Sequence, residues 1–104
     1  MADRDYRVIV SERARQMLGA HIRFVAKVSR DAAIFQKKEL ITAIRSLSRM
    51  PQRYPFLEGD FIPPNQYHKM FVKKQYLVLY QIRDDVVYVD YVLDCRKDYT
   101  WLVH

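Results

Sequence analysis

The residues of this chain that could do chemistry cluster in its last third. Asp94-Cys95-Arg96-Lys97-Asp98-Tyr99 sets two adjacent cations between carboxylates and ends on a phenol, and His68-Lys69 and Lys73-Lys74 lie upstream. These types suit phosphate chemistry. Metal-free RNA cleavage needs a base for the 2′-hydroxyl proton, a cation for the charge developing on the phosphoryl group, and a donor at the leaving oxygen. His68 is the candidate for proton transfer, because histidine alone is naturally poised for it near neutrality. Arg96 and Lys97 can grip a phosphate through charge-assisted hydrogen bonds, and Tyr99 can stack on a base or position the phosphate. Lys69, Lys73 and Lys74 are the candidate RNA contacts. On a strand, period-two alternation places His68, Met70 and Val72 on one face and Lys69, Phe71 and Lys73 on the other. His68 and Lys69 therefore share a pocket only if a bulge intervenes.

Each candidate also has a plainer reading. Arg96 and Lys97 can be solvated residues after a strand, Lys73-Lys74 a charged hairpin tip, and His68 a surface strand residue without catalytic duty. Tyr99, with Trp101 and Leu102, can pack the tail onto the core. Cys95 is expected to be a structural thiol, since nothing nearby in the sequence would depress its pKa. His21, between apolar residues, is expected to be a helix-face residue with no role.

The elements that must position these residues are legible along 104 residues, half of them hydrophobic, which suit one compact domain spanning 1–104. Tyr6 to Val10 reads as a short strand closed by Ser11, a helix N-cap with Glu12 favourable in the first turn. Ala14, Leu18, Ile22, Val25 and Val28 then recur at helical spacing, ending near Ser29. Asp31 is a second N-cap candidate, and Ala33, Phe35, Leu40, Ile41, Ile44 and Leu47 continue a helix that Pro51 stops. Two helices with almost no loop between them predict an antiparallel hairpin. All four prolines and Gly59 fall between Pro51 and Gln66, which reads as an ordered loop whose Phe56, Leu57, Phe61 and Ile62 fold back onto the core. Three strands follow at about His68 to Val72, Gln75 to Arg83 and Val86 to Leu93. Lys73-Lys74 and Asp84-Asp85 mark the tight turns, although both lack the glycine such turns favour. The expected fold is α+β: an N-terminal strand, a helical hairpin and a three-stranded antiparallel meander, with the helices on one sheet face.

Composition narrows the setting. Eighteen Lys and Arg against twelve Asp and Glu give a formal charge of +6, which favours encounter with polyanions or an acidic protein. No apolar run is long enough to span a bilayer and the charged start lacks a signal-peptide core, so a cytoplasmic protein without membrane contact is expected. One cysteine supplies neither an internal disulfide nor a cysteine zinc cage, and no metal or other cofactor is expected.

Strand, helical hairpin and meander in this order resemble the RelE/ParE toxin superfamily, the toxins of type II toxin-antitoxin systems, which include plasmid stabilisation proteins. Short motifs carry the resemblance: Val8-Ile9-Val10-Ser11-Glu12-Arg13-Ala14 at the start, Leu47 to Pro51 at the helix exit, and Arg96-Lys97-Asp98-Tyr99 at the close. The resemblance implies a cognate antitoxin, expected to bring an acidic tail and to form a hetero-oligomer with the toxin. It also implies one of two targets. One branch cleaves messenger RNA in the ribosomal A site as a metal-independent endoribonuclease, or mRNA interferase; the other inhibits DNA gyrase. Arg96, Tyr99 and His68 would carry catalysis in the first mode. That mode is placed first because the basic tail and Tyr99 fit it. Against it, Tyr76-Leu77-Val78-Leu79-Tyr80 has leucine where the family's middle strand carries arginine. Gyrase inhibition needs only a binding surface, and a non-toxic antitoxin-binding module or corepressor is the third alternative.

Overall fold

The computed structural model describes residues 5–59 and 63–96. Strand β1 (Arg7–Val10) leads into helix α1 (Glu12–Ala26) and helix α2 (Arg30–Arg45), and after two short 3-10 turns come β2 (His68–Val72), β3 (Tyr76–Arg83) and β4 (Val86–Asp94). Ser11 caps α1, its hydroxyl accepting from the Ala14 amide at 3.0 Å. The cap of α2 is Ser29, which accepts from Ala32 N at 3.1 Å, while Asp31 sits in the first turn. The expectation of Asp31 as the cap is thus off by two residues; serine satisfies the orphan amide and leaves the carboxylate to the helix dipole.

The four strands lie in the order β1-β4-β3-β2. The meander is antiparallel, and β1 returns beside β4 in parallel, Arg7 opposite Val86 through Val10 opposite Val89. Both helices cover one sheet face, as the alternation requires. Between them lies the main core of Ala14, Leu40, Ile44, Leu47, Met70, Val78, Tyr80, Val87, Val89 and Val92. Tyr80 is wholly buried, and its hydroxyl donates to Pro51 O at 2.6 Å. Burial drives that phenol's pKa far upward, so it serves as a fixed donor.

The exit from α2 is built to turn sharply. Met50 adopts φ 47 before Pro51, and the left-handed residue and the proline together end the helical path. The Arg53 guanidinium then donates to the carbonyls of Arg49, Met50 and Ser46, closing the helix end. The loop beyond folds back as expected: Leu57 is buried, and Phe56 bridges to His68. Phe61 and Ile62 lie outside the described residues. None of the helices among the described residues is long and apolar enough to cross a membrane.

Candidate functional site

On the sheet face away from the helices, Leu77 and Leu79 of β3 meet Leu93 of β4 and Leu57 of the loop, all at most 5 % exposed. This second apolar cluster seals the middle of the face. Beside it the β3–β4 register slips: Leu79 opposes Tyr91 and Tyr80 opposes Val89, leaving Asp90 as a bulge. A bulge re-aims its side chain. The Asp90 carboxylate here accepts from Tyr67 Oη at 3.0 Å and from Gln81 Nε2 at 2.8 Å. Tyr67 packs edge-on against Tyr91, over whose ring the Arg13 guanidinium sits at 4.2 Å. Desolvation, aided by the hydrogen bond to Asp90, pushes the Tyr67 phenol up to about 12, which keeps it the protonated donor of that bond. Sequence reading did not find this cluster, because its centre depends on the bulge.

His68 lies on the opposite, helix-covered face. It is 7 % exposed, its Nδ1–H donates to Tyr54 O at 2.7 Å, and its ring is sandwiched between Phe56 and Tyr80. It is neither a surface residue nor open to substrate. Lys69 faces the other way, as alternation predicts. His68 opposes Tyr80 while the root of the tail, Asp94, opposes Tyr76, a separation of roughly 13 Å along β3. The fold therefore does not bring His68 and Arg96 together. Lys73 pairs with Glu39 at 3.3 Å and lies over the Phe35 ring, with Lys74 next to it at the β2–β3 turn. Lys97 and Tyr99 lie outside the described residues.

At that tail root Asp94 is 2 % exposed, and it accepts from the Arg96 amide at 2.9 Å and from the Arg96 guanidinium at 3.4 Å. Burial pushes this carboxyl upward, but the bonds from Arg96 outweigh it and hold the pKa below the ordinary value. Nearby, Tyr76 Oη donates to Gln36 at 2.6 Å and His21 Nε2–H donates to Val92 O at 2.7 Å. His21, expected to have no role, ties α1 to β4.

A groove of about 370 Å³ runs along β1 and between the helices. Its floor is Val8, Val10, Leu18, Ile41 and Ile44, and Arg15, Lys37 and Arg45 rim it. The amides of Arg7 and Ser11 point to β4 while that of Tyr6 points outward to Ser48. Strand alternation therefore leaves the backbone of Val8 and Val10 facing the open edge.

The described surface thus carries an apolar groove with a basic rim beside the β1 edge, and His68 and Arg96, the predicted catalytic side chains among the described residues, lie apart. The model of the family described as ParE toxin of type II toxin-antitoxin system, parDE, matches residues 8–99, and the chain belongs to that family. It is also similar to a solved structure titled "Chromosomal ParDE TA system from P. aeruginosa", with a TM-score of 0.70 and 8 % identity over 86 % of this chain and 95 % of that one. At that identity the likeness speaks for the fold. No curated protein matches the chain.

Proposed function

We propose that this toxin acts by binding a protein, DNA gyrase, and that an acidic antitoxin neutralises it. The observation that carries this reading is Leu77. Where an RNA-cleaving member presents arginine, this chain presents a side chain 1 % exposed beneath Leu57. A phosphate cannot approach there without breaking the outer cluster, and the missing cationic contact would cost orders of magnitude in rate. Burial of His68 removes the candidate base as well.

The antitoxin is assigned to the groove beside β1. An extended segment can pair with the open edge at Val8 and Val10, while its apolar side chains enter the groove and its carboxylates meet Arg15, Lys37 and Arg45. The formal charge of +6 supports an acidic partner, as does the family's toxin-antitoxin setting. Arg96, whose side chain is 63 % exposed, and Lys69 keep RNA cleavage as the second reading.

A supercoiling assay with purified gyrase tests the proposal. The chain is expected to block supercoiling or trap cleaved DNA, and the neighbouring gene's product is expected to restore activity. Full gyrase activity at saturating toxin would refute the target, and a neighbouring product that shows no binding by isothermal titration would refute the partner.

A further inference from the structure

The groove beside β1 leaves the far end of the molecule unused. There α2 meets the β2–β3 turn, and Ile34, Phe35 and Phe71 are 58, 56 and 56 % exposed. Ile34 and Phe35 of α2 and Phe71 of β2 flank this turn from its two sides. Among the described residues the adjoining sheet edge is only partly paired. The loop pairs with only the first half of β2, through Leu57 N to Tyr67 O and Lys69 N to Pro55 O, and alternation turns the backbone of Phe71 outward past the point where the loop leaves. Phe71 lies on the outer side of this edge and Phe35 on the helix side. Between α2 and the turn is a cleft of about 120 Å³ whose apolar walls are Phe35, Leu40, Val72 and Tyr76, with the paired Glu39 and Lys73 also lining it, large enough for one small side chain.

Charge selects the occupant. Lys69, Lys73 and Lys74 surround this edge together with Glu39, which Lys73 engages. Lys73 and Lys74 are both in the left-handed region, at φ 57 and 58, as a two-residue hairpin turn requires, which fixes both lysines at the tip. We infer that this end docks an extended acidic segment of the toxin's protein target, pairing with β2 at Phe71. Alternate side chains of that segment reach Phe71 on one side and the cleft on the other, and its carboxylates meet the lysines. The inference rests on the reading of this chain as a toxin with a protein target, and it separates the target face from the antitoxin face.

The test compares the wild-type chain with K73E/K74E and with Phe71→Ser, measuring binding to immobilised purified gyrase and to the neighbouring gene's product. Each variant is expected to lose about tenfold or more in gyrase affinity and to bind the antitoxin like the wild type, which also shows that it is folded. A groove variant, Ile41→Asp, is expected to do the reverse. Unchanged gyrase binding by both tip variants overturns the inference, as does a parallel loss of antitoxin binding by both in chains with an unchanged circular dichroism spectrum. If the wild type binds no gyrase, the proposed target falls, and growth arrest on induction becomes the readout. Tip variants that relieve arrest while binding antitoxin then uphold the docking face, and variants that arrest like the wild type overturn it.

Discussion

Asp94 is held ionised in a place that ought to favour its neutral form. It is nearly buried, yet the Arg96 amide and guanidinium bring its pKa below the ordinary 3.8. A carboxyl with a depressed folded-state pKa contributes stability that is complete above the unfolded value and lost as pH falls through the folded one. Unfolding by urea across pH should therefore show a loss of stability below about pH 4 that Asp94→Asn flattens; an unchanged acid limb would contradict the assignment. Leu77 is the other decisive residue. If the outer cluster is a packed core, Leu77→Ala costs about 2–5 kcal/mol, read as a shift in urea midpoint. A near-neutral change would mean that the face is open and the argument against phosphate binding fails. His68 shows what single residues hide. Its alternation with Met70 and Val72 already placed it on an apolar face, but the stacking between Phe56 and Tyr80 comes from residues 12 positions away on each side, a long-range arrangement that local pattern does not contain.

At the scale of elements, periodicity was enough for both helices and the meander, and β-branched and aromatic content marked β1, because these patterns are local consequences of burial. Positions fixed by backbone detail were less legible. Ser29 and Asp31 are both good caps, and the choice depends on where the interhelical turn closes. The Asp90 bulge has no sequence signature at all, and with it the Tyr67, Gln81 and Asp90 network stayed hidden. The β2–β3 turn shows the opposite case. Lys73-Lys74 reads as a tight turn although it lacks glycine, and both residues occupy the left-handed region that such a turn requires. Lys74→Gly relieves one of these strains and keeps the Lys73–Glu39 pair, so a net gain of about 0.5–1 kcal/mol is expected after the added freedom of the unfolded chain. The check is a higher urea midpoint at unchanged slope. A loss of stability would show that Lys74 makes a compensating contact. Should the gain come with weaker target binding, the turn is strained for function.

At the scale of the whole molecule, the described residues leave backbone unpaired at each side of the sheet, at β1 beside a groove with a basic rim and at the end of β2 beside a basic, aromatic tip. Such edges invite pairing with another chain, and here each carries charge and apolar anchors suited to a partner of its own. The resemblance read from the sequence led to the right family, whereas its preferred chemistry depended on where His68 and Leu77 sit in three dimensions. The central claim is that the chain arrests growth through gyrase and not through messenger RNA. The direct measurement is induction without antitoxin in a bacterial culture, with messenger 5′ ends mapped and gyrase-linked DNA breaks scored from the same cells. Gyrase-linked breaks with intact messages are predicted. New codon-aligned 5′ ends without such breaks would contradict the account, and unimpeded growth with neither signal would reduce the protein to an antitoxin-binding module.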